Sequence, residues 1–323
     1  MTLLVENVEV LILSSLADLS TDRICHHLAD MKVSFLRINR EQLSEWGITI
    51  DPVAASMICC HGQREWHVGL GLRSVWWRQP TFLRNTPGRG LSPSEQLERS
   101  QWAALMRGMM LFDQAVWVNR PTETYNAEIK PLQLRKAATL GFAVPETRIT
   151  NDPLADIPVV IGGKVALKSI DTVLLFEGDV QHFGYTTIID WSECADESLR
   201  AAPATFQAVL SPKTDLRVTI VGKRLWCIAV TDSGAAIEGD WRLRPKAVLE
   251  YHDYSLPPEI ADRCLKLVEQ FGLEYAAIDL ALSNDQYWFI EINPTGEWGW
   301  LDRGGRGISN AIAEALACRG QPS

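Results

Sequence analysis

The feature that most constrains this chain is a pair of apolar, strand-like segments, Tyr275–Leu282 and Tyr287–Ile292, that carries three oxygen-bearing side chains. These side chains are Asp279, Glu291 and Asn293. A carboxylate buried without a partner is strongly disfavoured, so a cation must meet each one. Side chains two residues apart on a strand lie on the same face, so Glu291 and Asn293 share a face. The two segments therefore predict a polar site on an antiparallel strand pair.

The loop between these segments decides whether Asp279 lies on that same face. A three-residue loop, Asn284–Gln286, pairs Ser283 with Tyr287 and places Asp279 opposite Glu291, whereas a two-residue loop puts the carboxylates on opposite faces. We predict the three-residue loop. Three hard oxygen ligands on one face suit Mg²⁺ far better than zinc. The alternative is that the carboxylates are structural and form ion pairs with arginines.

Two lysines stand where an ammonium group needs an anion. Lys168 ends the predicted strand Val165–Lys168, and Lys130 stands at the start of a helix predicted over Ala127–Leu140. Each alone is often a surface lysine whose aliphatic stem lies along the protein. Phosphate oxygens would account for both lysines together.

A third cluster surrounds two further predicted strands. Gln207 offers an amide among apolar neighbours able to flank a flat ring, and Arg217 is a charged residue within a β-branched strand. Asp215 and Arg217 share a strand face, so a surface ion pair between them is one interpretation. The other is a fixed guanidinium that faces developing phosphate charge. The familiar phosphate-binding loops and kinase signatures do not occur in the sequence.

Composition bounds the class of protein. The chain has 323 residues, of which 46% are hydrophobic and 22% are charged, as expected for a soluble protein of two or three domains. A net charge of −9 disfavours binding to nucleic acid or to anionic lipid. No apolar run reaches the roughly 20 residues that span a bilayer. Seven cysteines without a C-x-x-C pair favour reduced thiols and a cytoplasmic location.

The order of predicted elements indicates an α/β fold. Strands over Val8–Leu13 and Val33–Ile38 flank a helix that ends near Met31, which suggests a small open sheet. Ser92 to Glu95 has the spacing of a capping box, with proline at the first helical position. We place domain boundaries so that the domains span residues 1–118, 119–198 and 199–323.

Four blocks of sequence then resemble the ATP-grasp superfamily, and more narrowly the peptide-macrocyclising ligases of microviridin and related graspetide biosynthesis. The resemblance covers nearly the whole chain, and the final block, in which W-G-W follows E-I-N-P, is the most specific. The first block is Ser74–Pro80, and the second comprises Asn119–Lys130, Gln133–Leu134 and Pro145–Asn151. The third is Phe206–Gln207 with Asp215–Val218, and the fourth is Asp279 with Glu291–Trp300.

The resemblance implies an ATP-grasp fold with an N-terminal pre-ATP-grasp domain, a central domain and a C-terminal domain that carries the metal site. It implies roles for individual residues. Lys130 and Lys168 would hold ATP phosphates, Gln207 with the backbone of Ala208 and Val209 would bind adenine, and Asp215 would lie near the ribose. Asp279, Glu291 and Asn293 would bind Mg²⁺. Arg217, together with Arg242, would stabilise the transferred phosphate.

The resemblance also implies an activity and a partner. ATP would phosphorylate Asp or Glu side chains of a ribosomally made precursor peptide with a leader, and Ser, Thr or Lys side chains would then close ester or amide rings. Trp76, Trp77 and Arg78, with residues 171–187, are predicted to contact this peptide, and a homodimer is an option. A ligase that adds free amino acids and a non-catalytic ATP-binding regulator remain alternatives.

Overall fold

The computed structural model describes residues 4–78, 90–155, 157, 162–171, 174–177, 180–194, 196–237 and 239–318. For residues 174–177, 180–183 and 194 it describes the backbone alone. The architecture combines several sheets with packed helices, which confirms the expected α/β fold. Within the described ranges, no helix has the length and apolar character needed to cross a membrane.

The N-terminal region alternates strands and helices. Its elements are β1 Leu4–Asn7, β2 Val10–Ser14, α1 Ser20–Asp30, β3 Phe35–Asn39, β4 Gly47–Asp51, β5 Ser56–His61, β6 Arg64–Val68, β7 Ser74–Trp77, α2 Pro93–Gly108 and β8 Val116–Val118. A parallel sheet has the order β3-β2-β7-β8, and a second sheet has the order β1-β6-β5-β4. As predicted, Ser92 and Glu95 form a capping box at the start of α2.

The parallel sheet is buried on both faces. One face contributes Leu11 and Trp77 to a core shared with the second sheet and the segment after α2. The other face contributes Ile12 and Trp76 to a core shared with α1 and with a helix from the C-terminal region. This double burial explains why β2 is a continuous apolar run rather than an alternating one.

The central region begins with two helices. Its elements are α3 Pro121–Glu128, α4 Lys130–Thr139, β9 Thr147–Thr150, β10 Lys164–Lys168, β11 Leu174–Glu177, β12 Val180–Phe183, β13 Thr187–Asp190, α5 Trp191–Cys194 and β14 Ala204–Gln207. An antiparallel sheet has the order β13-β10-β14-β9, and β11 pairs with β12.

The helix predicted over Ala127–Leu140 is two helices. The chain is extended at Ile129, between α3 and α4, and Pro131 lies in the first turn of α4. Proline lacks the N–H that a continuous helix would use and restricts the residues before it, so α4 starts anew there. Gly141 follows the end of α4 with a φ of 84°, the left-handed conformation that glycine adopts readily.

The C-terminal region is built on one antiparallel sheet in the order β17-β16-β15-β18-β19. Its elements are β15 Thr214–Val221, β16 Arg224–Asp232, β17 Leu249–Asp253, α6 Pro258–Gln270, β18 Tyr275–Ser283, β19 Gln286–Asn293 and α7 Ile308–Ala317. Helices α4 and α6 cover one face of this sheet. Helix α7 packs against α1, across the boundary to the N-terminal region.

The β18–β19 connection differs from the prediction in its loop and agrees with it in its outcome. Ser283 pairs with Gln286, so the loop has two residues, Asn284 and Asp285, and both have positive φ. This is the backbone of a tight hairpin turn that Asn and Asp tolerate. A β-bulge at Asp279 then inserts Ile290 as an extra residue. The bulge restores the pairing of Asp279 with Glu291, which the shorter loop alone would have prevented.

Candidate active site

A cleft opens between the central sheet and the C-terminal sheet. The central sheet contributes Lys168 and Gln207, and the C-terminal sheet contributes Arg217 and Asp279. The segment that contains Arg242 also lines the cleft. Residues predicted from distant parts of the sequence therefore meet in one place.

Arg217 lies directly opposite Asp279 on the neighbouring strands β15 and β18. Its Nη1 donates to Asp279 Oδ1 at 2.7 Å, and its Nη2 donates to the backbone oxygen of Glu297 at 3.3 Å. The arginine is 6% exposed, and its buried Nε has no hydrogen-bond partner in the described part of the chain. Strand β15 thus fixes the position of the Arg217 guanidinium, whose Nε–H remains available as a hydrogen-bond donor.

Glu291 is the second acidic centre. Lys130 Nζ donates to Glu291 Oε2 at 2.6 Å, and Arg242 Nη2 lies 3.4 Å from Glu291 Oε1. Burial alone would raise the pKa of Glu291, but the charges of Lys130 and Arg242 outweigh it and hold that pKa well below its usual value. Glu291 is therefore ionised across the physiological pH range.

Arg242 links the two carboxylates. Its Nη2 donates to Asp279 Oδ2 at 2.9 Å in addition to its approach to Glu291. Burial would lower the pKa of Arg242, yet the neighbouring carboxylates Asp279, Glu291 and Asp240 raise it. A single guanidinium that reaches both carboxylates requires them to share a face, which confirms the predicted placement of Asp279 beside Glu291.

Asn293 completes the predicted ligand set. It pairs with Ala277 on β18, and its Nδ2 donates to Glu291 Oε1 at 3.1 Å. Within the described residues, no group of three or more His, Cys, Asp or Glu side chains is arranged to hold a metal, so the predicted site would need the amide oxygen of Asn293 as its third ligand. The donor set of two carboxylates and one amide oxygen fits Mg²⁺ chemically. The arginine ion pairs of the alternative interpretation are also present.

Lys168 and Gln207 lie on the other wall of the cleft. Lys168 Nζ donates to Gln207 Oε1 at 2.6 Å, and Gln207 Nε2 donates to Thr147 Oγ1 at 2.9 Å. Burial lowers the pKa of Lys168 to about 8, against the attraction of Glu291 and with the repulsion of Lys130. A buried ammonium with a neutral amide as its hydrogen-bond partner suits an incoming anion.

Ala208 and Val209 follow Gln207 and line the cleft. The Ala208 N–H already donates to the backbone oxygen of Glu146 at 2.9 Å. For the hydrogen bonds predicted to an adenine ring, the Ala208 carbonyl and the Val209 backbone therefore remain available.

Asp215 does not pair with Arg217. Its Oδ2 accepts from Lys213 Nζ at 2.5 Å, while Arg217 is held by Asp279. Burial raises the pKa of Asp215, with Lys213 opposing that shift. The i, i+2 ion pair, which was one of the two interpretations of this spacing, therefore does not form. The physical reason is that the cross-strand carboxylate Asp279 lies closer to the guanidinium than the same-strand one.

No protein-family model matches the sequence, and no curated protein matches it. Solved structures do match along nearly the full length. A Chryseobacterium gregarium RiPP-associated ATP-grasp ligase, in complex with ADP and a leader and core peptide, superposes with a TM-score of 0.83 at 22% identity, over 97% of this chain and 98% of that one. This chain has the fold of the ATP-grasp peptide ligases.

Two further structures have the same ATP-grasp fold. The macrocyclase MdnC from Microcystis aeruginosa MRC, bound with precursor peptide MdnA, has a TM-score of 0.81 at 26% identity, over 95% of this chain and 98% of that one. The ATP-grasp ligase PsnB, complexed with minimal precursor, Mg and ADP, has a TM-score of 0.69 at 21% identity, over 98% of both chains. The resemblance to peptide-modifying ATP-grasp ligases predicted from sequence is therefore confirmed.

The tryptophan-rich block of this ATP-grasp chain does not form a peptide surface. Trp76 and Trp77 are buried core residues, and Arg78 is 1% exposed. The prediction that they act as exposed anchors is wrong, because β7 is an interior strand of a sheet covered on both faces. Gln79 and Pro80, from the same block, lie outside the described residues. So do 172, 173, 178 and 179 of the stretch predicted to contact the peptide.

Several side chains that bind the predicted site residues in the cleft were not predicted from the sequence. Lys213 neutralises Asp215, and Thr147 orients the Gln207 amide. Asp240 is 8% exposed and lies 3.4 Å from Arg242 Nη1, while Trp241 offers its ring to the same guanidinium at 5.1 Å. The signal for Asp240 was its position two residues before Arg242. Lys213 had the same signal, two residues before Asp215, whereas Thr147 had none, since only the pairing of β9 with β14 brings it beside Gln207.

Proposed function

We propose that this protein is an ATP-dependent ligase that closes rings in a ribosomally made precursor peptide. It phosphorylates Asp or Glu side chains, and Ser, Thr or Lys side chains of the same peptide then form esters or amides. The supporting observation is the cluster of Arg217, Arg242 and Lys130 around the paired carboxylates Asp279 and Glu291. It lies within a fold shared with ligases whose structures contain precursor peptides.

The charges of the cleft suit a polyphosphate with a divalent cation. Lysines 130, 168 and 213 and arginines 217 and 242 bear five positive charges, whereas aspartates 215, 240 and 279 and glutamate 291 bear four negative ones. This small positive balance contrasts with the net charge of −9 for the whole chain. A local excess of positive charge concentrates anions at the site. We assign Lys130 and Lys168 to the phosphates.

The remaining nucleotide and metal contacts follow from position. Gln207, with the backbone of Ala208 and Val209, would hold the adenine, and Asp215 would lie toward the ribose. Asp279, Glu291 and Asn293 would hold Mg²⁺. When bound, the metal supplies positive charge that neutralises phosphate oxygens as bonds are exchanged.

Catalysis here rests on positioning and charge stabilisation. The γ-phosphoryl group moves from ATP to a peptide carboxylate, which yields ADP and an acyl phosphate. A peptide hydroxyl or amine then attacks the acyl carbon, and inorganic phosphate and a proton leave. Arg217 would stabilise the transferred group through its planar donor fork, with Arg242 beside it.

The partner that fits this function is a peptide with a leader, rather than nucleic acid or a membrane. We further propose a cytoplasmic location and a homodimer as its assembly. A reducing compartment suits the free thiols of the described residues, which are Cys25, Cys59, Cys60, Cys227, Cys264 and Cys318.

The direct test combines the purified protein, ATP, Mg²⁺ and the short peptide encoded beside its gene. We expect ADP release that depends on the peptide, and a peptide mass lower by one water for each ring. Mild alkaline hydrolysis restores the mass of an ester and leaves an amide intact. A gain in mass by whole amino acids would instead identify a ligase for free amino acids, and nucleotide binding without ADP release would identify a regulator.

A further inference from the structure

Arg78 is a buried arginine outside the cleft whose contacts converge on one short segment. It follows β7 and is 1% exposed. Its Nε donates to Asp18 Oδ2 at 2.8 Å, and its Nη2 donates to Glu297 Oε2 at 2.8 Å. Its Nη1 donates to the backbone oxygens of Thr295 and, at 3.1 Å, of Gly296. One guanidinium thus joins the N-terminal sheet to the three residues 295–297.

Two of these residues, Gly296 and Glu297, lie directly against Arg217. The Glu297 carbonyl accepts from Arg217 Nη2 at 3.3 Å. A Cβ atom built on Gly296 would lie 2.9 Å from Arg217 Nη2 and 2.5 Å from Ala277 Cβ, so the backbone here approaches the arginine as closely as only glycine permits. The segment also follows Asn293, the last of the predicted metal ligands.

We propose that Arg78 is a positioning residue for the transfer step: it holds segment 295–297 against Arg217 and so fixes where that guanidinium points. This inference rests on the proposed function of Arg217. Arg217 touches Asp279 through Nη1 and the segment through Nη2, so a shift of the segment removes one of its two anchors. Small displacements of a group that stabilises developing charge strongly reduce turnover.

The contacts of Arg78 require the guanidinium shape. Its donors diverge toward one carboxylate on the α1 side, two backbone oxygens and the partly exposed carboxylate of Glu297. A lysine carries the same charge on a single nitrogen and cannot reach all of these acceptors at once. The substitution R78K therefore keeps the positive charge at this position and removes the set of hydrogen bonds that the guanidinium makes.

The test is a double-mutant cycle on peptide-dependent ring formation with R78K and R217K. We expect R78K to lower kcat on the order of 10- to 100-fold while the KM for ATP changes less than about twofold. In the R217K background, the same R78K change should alter kcat less than about twofold, because the group it positions is already lost. If the two losses multiply, Arg78 does not act through Arg217 and the proposal fails.

Arg73 provides a matched control, because it precedes the same strand that Arg78 follows. It pairs with Glu9 and donates to the backbone oxygen of Ala317 at 3.1 Å, so it also joins the two ends of the chain while remaining outside the cleft. We expect R73K to leave kcat unchanged. If R78K does not fold, E297Q serves instead. The Glu297 side chain is 46% exposed, and the E297Q substitution weakens the ion pair between Arg78 and residue 297.

Hydrogen exchange separates this inference from the proposed function. Backbone amides of residues 295–299 should exchange faster in R78K than in the wild type. In R73K their exchange rates should equal those of the wild type. If the wild type forms no rings while R78K still accelerates this exchange, the proposed function fails and the structural linkage stands. Equal exchange in R78K and wild type, with ring formation intact, overturns the role of Arg78.

Discussion

Arg217 and Asp279 face each other across adjacent strands, with Nη1 and Oδ1 2.7 Å apart. The same carboxylate accepts from Arg242 through its other oxygen at 2.9 Å. Asp279 therefore holds two guanidinium groups at fixed positions at one end of the cleft. Any cation that Asp279 binds will lie beside groups that also attract phosphate oxygens.

We expect R217K to lose most ring formation while it still folds and binds ATP. Lysine preserves the charge but not the planar fork, and removal of one preorganised donor typically costs on the order of 10²–10³ in turnover. Ring formation and ATP affinity are measured separately on the same preparation. R224K, in the neighbouring strand β16 at a half-exposed ion pair with Glu314, is the control and should behave as wild type. Wild-type turnover in R217K would assign the role to Arg242.

D279N should raise the Mg²⁺ concentration needed for half-maximal ADP release. The amide keeps the shape of the side chain but removes one negative charge from a site with only two carboxylates. ADP release is followed across a magnesium titration at saturating ATP. D285N, in the exposed two-residue loop of the same hairpin, removes an equal charge away from the cleft and should leave the magnesium dependence unchanged. An equal shift in both variants would mean that Asp279 acts only through overall charge.

ATP affinity should weaken as pH rises through about 8, the pKa to which burial lowers the Lys168 ammonium. Because the folded pKa is depressed, the charged form is present below this value and lost above it. If only the charged form binds phosphate well, the Kd for ATP rises about tenfold between pH 7 and pH 9. K168R keeps its charge in this range and should show a flat profile. The same rise in K168R would exclude Lys168 as its cause.

W76A should lower the free energy of unfolding by about 3–5 kcal/mol, since its ring is buried between the parallel sheet and α1. Urea unfolding measures this loss. L70A, at a fully exposed leucine, is the control and should change stability by less than about 0.5 kcal/mol. A peptide anchor would behave in the opposite way, with a higher KM for the peptide and unchanged stability.

The hairpin β18–β19 shows how far the sequence could predict this site. Alternation of polar and apolar residues placed Glu291 and Asn293 on one face, and the structure agrees. The loop length was wrong, because Asn284 and Asp285 both adopt positive φ and close a tighter turn. A β-bulge at Ile290 compensates for the difference of one residue. A bulge depends on how two strands pair, and it leaves no periodic signal in the sequence of either strand.

Partners across strands were the other limit of prediction. Arg217 was singled out as an unusual charge in an apolar strand, and an ion pair with Asp215 of the same strand was one of two interpretations. The register of β15 with β18 supplies Asp279 instead. Likewise, the sequence predicted Trp76 and Trp77 to be surface anchors. In the structure β7 has a strand on each edge and packed side chains on both faces, and the local sequence does not indicate this.

Helix α7 has a consequence for how the protein is made. It covers α1 and β7, and the backbone oxygens of Leu316 and Ala317 accept from Ser74 and Arg73 at the start of that strand. Because α7 leaves the ribosome long after the first sheet, the face of that sheet with Ile12 and Trp76 has only α1 as cover until the C-terminal region is made. The N-terminal region therefore cannot finish folding as an independent unit ahead of the rest of the chain.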